Sequence, residues 1–208
     1  MENDNFGKLL GHIGSKINNL QDTLDRGTTK AELASLRKGL GKVPGEIPEL
    51  WGSILLDMPD ELIGNQRAEQ VVYSVLTLYA FHQQGNKDAM HRHISAEQSK
   101  SGSMGYEGCR LGTSVARLVK EKEDEGRIRR RFNVMATSSD IKELTYHLRT
   151  IIKMLSGDKI PIDYIELARN LYDYQYEDGR NRVRLRWGED YFREINRMNR
   201  KDNNNEDK

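Results

Sequence analysis

The segment from Val71 to Phe81 is the sequence feature that most restricts the fold. Its eleven residues are apolar apart from Ser74, Thr77 and two tyrosine hydroxyls, so nearly every face of a helix formed by them is apolar. Such a helix must be covered by other elements on several sides. The segment is too short to span a bilayer. The sequence therefore predicts a buried central helix, within a longer helix over residues 60–84.

Hydrophobic residues recur at steps of three and four through most of the remaining chain. Leu33, Leu36 and Leu40 follow Thr29–Glu32, a stretch with capping-box spacing, and Pro48 is well placed to begin a short helix. No segment alternates in the two-residue pattern of a strand, so the predicted fold class is all-α. Later helices are predicted over residues 113–122, 126–136 and 181–198. Two more lie between them: one is capped at Ser139 or Asp140 and ends at Gly157, and the other is capped at Asp163 and ends at Gly179.

The predicted helices fall into two groups. Residues 85–112 are rich in glycine, serine, lysine and histidine and show no sustained period, so we interpret them as a long polar loop or linker. The sequence therefore predicts an N-terminal helical bundle over residues 1–84 and a C-terminal bundle over residues 113–200. The polar residues 201–208 are predicted to form a disordered tail.

Charge and cysteine content limit the possible classes of protein. The 33 basic and 32 acidic residues nearly balance, yet residues 126–200 hold 16 basic and 11 acidic residues, and thirteen of those basic residues are arginines. The one cysteine, Cys109, cannot form an internal disulfide, which fits a reducing compartment. The N-terminus lacks the apolar region of a signal peptide. We expect a soluble, cytoplasmic protein with no membrane partner.

No residue pattern predicts an active site. His91 and His93 would point to different faces of a helix, and no cysteine pair or nearby carboxylate completes a metal site. Glu143 and His147 lie one turn apart, which is typical of an exposed pair. The chain is predicted not to be an enzyme, and no metal or cofactor is expected. Three weaker candidates lack the sequence context that their chemistry needs. They are Gly102, Gly105 and Gly108 as a phosphate loop, Cys109 as a nucleophile, and Asp57, Asp60 and Glu61 as a nuclease centre.

Arginines along the last predicted helix are the strongest functional signal. At 100° per residue, one stripe about 60° wide holds Arg182, Arg186, Arg193, Arg197 and Arg200. Glu189 is the only acid on this stripe, and Val183, Trp187 and Tyr191 face the bundle. Arg127, Arg129, Arg130 and Arg131 add to the basic character before Phe132. Because the planar guanidinium group suits phosphate oxygens, the pattern favours contact with nucleic acid over an ordinary solvated surface.

Several blocks in a consistent order resemble one family. They are Ala34–Gly39, Pro48–Trp51, Leu76–Gln84, Arg110–Val115, Arg129–Phe132, His147–Arg149, Ile162–Tyr164, Leu167–Arg169 and Arg184–Phe192. Together they cover roughly residues 28–195, and the chain resembles the CasB family, the small subunit of the type I-E CRISPR surveillance complex called Cascade. The resemblance implies an all-helical, non-catalytic protein.

The same resemblance implies partners and binding residues. The implied partners are the backbone and large subunits of Cascade, a second copy of the chain, the guide RNA and the target DNA. The implied role is to hold the guide–target hybrid and the displaced strand, which stabilises the R-loop. The basic positions that match the family are Arg37, Lys38, Arg67, Arg129, Arg130, Arg131, Arg149 and Arg169. For Arg149 and Arg169 the match leaves two roles open: contact with DNA, or a structural salt bridge within the protein.

Three functional hypotheses follow. The leading one is a non-catalytic, sequence-independent nucleic-acid clamp inside an RNA-guided complex. It requires that the arginines are not tied up by carboxylates of the same chain. The alternative is a structural spacer whose arginines dock on acidic patches of partner proteins. A metal-dependent nuclease ranks last, because no set of acids is placed for two-metal chemistry.

Overall fold

The computed structural model describes residues 3–93 and 108–206, and the side chains of residues 4–93 and 108–200. Within these residues the secondary structure is helical, apart from one isolated bridge between His91 and Ile162, and the all-α prediction is confirmed. None of these helices is both long enough and apolar enough to cross a membrane. The helices are α1 (Asn3–Gln21), α2 (Gly27–Lys38), α3 (Trp51–Leu55), α4 (Gln66–His82), α5 (Leu111–Ala116), α6 (Lys122–Ala136), α7 (Ile141–Gly157), α8 (Tyr164–Tyr174) and α9 (Glu177–Glu206), with 3-10 turns at Pro48–Leu50 and Asp60–Leu62.

Helix α4 is the central element. All ten residues from 71 to 80 are buried, which confirms the prediction from their composition. Helices α1, α2, α3, α7 and α8 all pack against α4. The predicted helix over residues 60–84 is divided, because Gly64 adopts a left-handed conformation and Asn65 caps α4 by accepting from the N–H of Ala68.

The N-terminal part differs from the sequence prediction in two respects. Helix α1 was not predicted, although Leu9, Ile13 and Ile17 have helical spacing and are fully buried. Helix α2 begins at Gly27, so the predicted capping box at Thr29 is wrong. The Thr29 hydroxyl instead lies 2.7 Å from the hydroxyl of Thr23, which draws it away from the helix N-terminus.

The caps predicted in the second half are found with one exception, whereas the predicted helices over 113–122 and 126–136 lie instead at Leu111–Ala116 and Lys122–Ala136. Asp140 accepts from the N–H of Glu143, and Asp163 accepts from the N–H groups of Ile165 and Glu166. Gly179 does not end a helix; it lies in the first turn of α9. A Cβ at Gly179 would collide with the backbone of Asp173, so this glycine permits the tight corner between α8 and α9.

Helix α5 packs closely on α9. A Cβ at Gly112 would lie 2.9 Å from Asp190 Cβ and 3.0 Å from the Tyr191 nitrogen, and would clash with the carbonyl oxygen of Trp187. The glycine therefore allows the two backbones to approach, and the Trp187 side chain is buried behind it. This contact presents the opposite face of α9 to solvent.

The N-terminal and C-terminal helices share one continuous hydrophobic core. The Tyr164 hydroxyl donates to the Leu78 carbonyl and lies 3.1 Å from Nδ1 of His82, so α8 is joined directly to α4. The boundaries of the two predicted bundles stay a prediction. Half of the predicted loop, residues 94–107 with Gly102 and Gly105, lies outside the described residues. Helix α9 continues to Glu206, beyond the predicted start of the tail.

Candidate nucleic-acid interface

The inner face of α9 agrees with the prediction from the helical wheel. Val183, Trp187 and Tyr191 are almost completely buried against the other helices. On the opposite side, Arg182 and Arg200 are exposed and make no ion pair within the described part of the chain. The rigid helix thus holds basic side chains at its surface, as the sequence predicted.

Three arginines of the predicted stripe are paired with carboxylates of the same chain. Arg197 donates to Glu194 through two hydrogen bonds of 2.8 and 2.6 Å, and Arg193 lies 3.6 Å from Asp190. Arg186 donates to Asn170 over 2.8 Å and lies 3.4 Å from Glu166. The expectation that these arginines are unpaired is therefore wrong.

Tertiary structure explains this difference. Asp190 and Glu194 flank the stripe on the wheel and are only 4% and 6% exposed, since α5 and the segment after it cover them. A buried carboxylate requires a charged or hydrogen-bonding partner, and for both residues an arginine three positions later lies within reach. The third carboxylate, Glu166, comes from α8.

The three carboxylates each serve two arginines. Besides its α9 partner, Asp190 lies 3.6 Å from Arg110, Glu194 accepts from Arg117 over 2.9 Å, and Glu166 lies 3.5 Å from Arg169. Six guanidinium groups against three carboxylates leave a surplus of three positive charges. We call this set the guanidinium network; its members are Arg110, Arg117, Arg169, Arg186, Arg193 and Arg197 with Glu166, Asp190 and Glu194.

Burial and ion pairing shift the pKa of these carboxylates in opposite directions. Burial raises the pKa of Glu166 and Asp190, although the nearby arginines oppose the change. Burial also acts to raise the pKa of Glu194, but hydrogen bonds from Arg197 and Arg117 outweigh it and leave that pKa lowered. Arg193 keeps 74% of its side chain exposed, so its guanidinium can still bind an external anion.

Arg110 and Arg117 were not among the predicted site residues. They flank the short helix α5, and only the packing of α5 on α9 brings them to the network. A sequence signal for Arg110 existed, because it opens the Arg110–Val115 block that resembles the family.

A second basic region lies between α6 and α7. Arg129 is paired with Glu125 at 3.2 Å, whereas Arg130 makes no ion pair in the described residues and Arg131 contacts the sulfur of Met154 at 3.3 Å. All three side chains are exposed. A groove of about 180 Å³ is lined by Arg130, Arg131, Val134, His147, Thr150 and Ile151.

A row of aromatic rings brings Arg67 and Arg169 to one surface. The Arg67 guanidinium lies 4.6 Å from the centroid of the Tyr176 ring, and Arg169 lies 5.2 Å from that of Phe6. Tyr172 stands between them, 5.7 Å from Tyr176 and 5.2 Å from Phe6. The row joins α1, α4, α8 and the residues after α8, and its cation–π contacts orient both arginines.

The remaining predicted residues lie around the end of α2. Lys38 is exposed, and Arg37 is partly buried beside a groove of about 940 Å³ between α2, the end of α1 and residues 83–89. This groove also contains three aspartates, so its charge is mixed. Arg149 lies 5.9 Å from the centroid of the Phe81 ring and close to Gly41, next to the turn that follows α2.

The weak catalytic candidates have structural contacts. The Tyr164 N–H donates to Nδ1 of His91, and His93 Nδ1 lies 2.9 Å from Asp163. Glu143 accepts from the N–H and the hydroxyl of Ser139 at the start of α7. Among the described residues, no group of three or more potential metal-binding side chains is close enough to hold an ion.

Comparison with known proteins identifies one family. Residues 32–192 match the family model of the CRISPR-associated protein Cse2. CasB from Thermobifida fusca is 32% identical, with a TM-score of 0.71 over 88% of this chain and 97% of that one. CasB from M. ruber is 23% identical, with a TM-score of 0.61 over 88% and 96%.

A third similar structure is a chain of a CRISPR RNA-guided surveillance complex. It is 20% identical, with a TM-score of 0.67 over 93% of this chain and 98% of that one. No curated protein sequence matches the chain.

Proposed function

Because the chain belongs to the CRISPR-associated Cse2 (CasB) family, we propose that it is a non-catalytic subunit of a type I-E CRISPR surveillance complex. The similar chain in an RNA-guided surveillance complex supports this placement. In that assembly it works in the cytoplasm in antiviral defence, beside backbone and large subunits and a second copy of itself.

The proposed role is to bind nucleic acid without regard to sequence. The strands concerned are the displaced DNA strand and the hybrid of guide RNA with target DNA. Exchange of a DNA duplex for such a hybrid is nearly balanced in energy, so a few contacts to the backbone are enough to stabilise the R-loop. Contacts to phosphate position a protein but carry no base information.

Arg186, Arg193 and Arg197 do not meet the requirement for arginines free of carboxylates. The observation that carries this proposal is therefore the surplus of positive charge that the guanidinium network keeps after pairing. The shared carboxylates hold the arginines in place, which reduces the entropy lost when a phosphate binds. Three positive charges remain after pairing.

The predicted binding residues fall into two roles in this proposal. Exposed basic residues that have no carboxylate partner contact phosphate directly. Arg193, a member of the guanidinium network, also contacts phosphate because its side chain is exposed. Arg186 and Arg197 shape the surface through their ion pairs, and Arg129 adds a weaker contact beside Glu125. The direct contacts are assigned to Lys38, Arg67, Arg130, Arg131, Arg149 and Arg182, with Arg37 at the edge of the α2 groove.

Binding of a labelled single-stranded DNA to the isolated protein tests the proposal. If about five phosphates are engaged, affinity falls roughly a hundredfold between 50 and 200 mM salt. Unrelated sequences should bind about equally well. Incubation of the bound strand with Mg²⁺ or Mn²⁺ should leave it intact, because the subunit itself breaks no bond.

The second candidate is a helical spacer that bridges partner subunits without touching nucleic acid. The intrachain pairs of Arg186, Arg193 and Arg197 favour it, since paired arginines also stabilise a fold. A spacer would bind neither strand even at low salt. That result would contradict the nucleic-acid role while leaving membership of the complex intact.

A further inference from the structure

The outer face of α7 carries cations on both sides of an aromatic residue. At 100° per residue, Lys142, Tyr146, Arg149 and Lys153 fall within about 60° of one another. All four side chains are exposed. The set spans about 16 Å along the helix, the length of several nucleotides. We call it the α7 stripe.

Among the residues that the structure describes, no carboxylate neutralises the α7 stripe. Lys142, Arg149 and Lys153 make no ion pair within the described residues, in contrast to the guanidinium network. The nearest acid on the helix is Glu143, whose carboxylate is engaged by Ser139 at the helix start. The stripe therefore presents unopposed positive charge, which is complementary to a polyanion.

Tyr146 is the most exposed large hydrophobic residue in the described chain, at 68%. Within residues 4–93 and 108–200, its one ring contact is edge-to-face with the adjacent His147, at 5.2 Å between centroids and 78° between planes. The ring thus remains accessible to a planar ligand. Exposed aromatic rings between cations are typical of surfaces that bind single strands, because every base can stack on them.

The stripe is continuous with the basic groove between α6 and α7. Thr150, which lies about 40° from Tyr146 on the helix, lines that groove together with Arg130 and Arg131. A strand stacked on Tyr146 can therefore continue onto the arginines of α6.

We propose that Tyr146 is a base-stacking platform for single-stranded nucleic acid, with Lys142, Arg149 and Lys153 binding the adjacent phosphates. This inference rests on the proposed function and adds to it a residue that contacts bases. Stacking tolerates any sequence, so it is compatible with sequence-independent binding.

The test compares two strands with equal numbers of phosphates. One strand is an oligothymidine of about 12 nucleotides. The other has the same length, with an abasic site in place of each thymidine. The full-length protein should bind the oligothymidine at least about fivefold more tightly than the abasic strand. Tyr146→Ala should remove this preference without changing the affinity for the abasic strand, and Tyr146→Trp should retain it.

Trp51→Ala is the matched control. Trp51 is also an exposed aromatic residue, at 52%, but it lies near the acidic residues Glu49 and Glu69. This variant should keep the full preference for the oligothymidine. Thermal unfolding of each variant verifies that the fold is retained, and Tyr146→Trp adds a fluorescence signal that a stacked base should quench.

The outcomes separate this inference from the proposed function. Equal binding of both strands by the unaltered protein would overturn the stacking platform and leave the nucleic-acid role in place. Retention of the preference by Tyr146→Ala would also overturn it. Failure to bind either strand at low salt would contradict both proposals.

Discussion

The Nε–H of Arg117 donates to Oε1 of Glu194 over 2.9 Å, and both side chains are largely buried. This ion pair joins the end of α5 to α9. Glu194 also accepts two hydrogen bonds from the more exposed Arg197. One buried carboxylate thus supports the packing of α5 and orients an arginine at the surface.

Replacement of this carboxylate should destabilise the protein strongly. Glu194→Gln leaves the charge of Arg117 without its partner in a largely buried place, which costs about 3 kcal/mol. We expect the midpoint of thermal unfolding to fall by roughly 6–12 °C.

Asp158→Asn is the control for Glu194→Gln. Asp158 pairs with the exposed Lys120 at 2.7 Å, and exposed pairs contribute about 1 kcal/mol or less. Equal shifts in the two variants would show that burial of the Arg117–Glu194 pair contributes nothing.

Gly112→Ala should also reduce stability. The added methyl group would meet the backbone of α9 at distances that real Cβ atoms do not tolerate, so α5 must move away. We expect a loss of about 1–3 kcal/mol in the free energy of unfolding, measured by urea denaturation.

Gly126→Ala provides the opposite case. Gly126 lies in α6 with nothing within 4 Å of an added Cβ, so alanine should be neutral or stabilise the helix by up to about 1 kcal/mol. A stable Gly112→Ala variant would contradict the close approach of α5 to α9.

Stability should fall in mild acid because of His82. Burial lowers the pKa of His82 to about 4, whereas in the unfolded chain it stays near 6.5. As pH falls from 6.5 towards 4, the unfolded state takes up a proton and the folded state does not, so stability present above pH 6.5 is lost. This histidine should contribute a loss of about 2 kcal/mol between pH 7.5 and pH 5.

Urea denaturation of the parent protein and His82→Asn at both pH values measures this contribution. The substitution removes the titrating group, so the pH dependence should become smaller by that amount. Burial also lowers the pKa of His12 and of His91, so these two histidines add acid sensitivity in the same pH range. They do so in both proteins, and their contribution cancels in the comparison. An unchanged pH dependence would contradict the assignment to His82.

Arg130→Ala should weaken binding to single-stranded DNA about equally for unrelated sequences. Arg130 is exposed and has no carboxylate partner in the described residues, so its charge is available to phosphate. Loss of one phosphate contact should reduce the salt slope by about 0.7.

Arg127→Ala is the matched control on the same helix. Arg127 donates to Asp124 over 2.7 Å, and this hydrogen bond lowers the pKa of the Asp124 carboxyl. Its removal should change the salt slope less than Arg130→Ala. A larger effect at Arg127 would indicate that ion pairing does not decide which arginines bind.

Local patterns were sufficient for most of the helices. The apolar run of α4 predicted its central position, because only a central position covers all its faces. Asp140 and Asp163 marked helix starts, because their side chains can satisfy backbone N–H groups. Thr29 was misleading because a hydroxyl outside the helix competes for its side chain. Gly179 was misleading because glycine at a corner and glycine at a helix end have the same sequence pattern.

The sequence alone was enough to specify an all-helical fold and the inner face of α9, because helical periodicity relates residues three and four positions apart. It also shows directly that arginine is concentrated after residue 126. It was not enough to specify which arginines are paired. The partners in the guanidinium network come from α8, α9 and the two residues that flank α5, and their pairing depends on which carboxylates become buried when these helices pack. Burial is a property of the whole tertiary structure, so only the folded chain decided which cations stay available to a ligand.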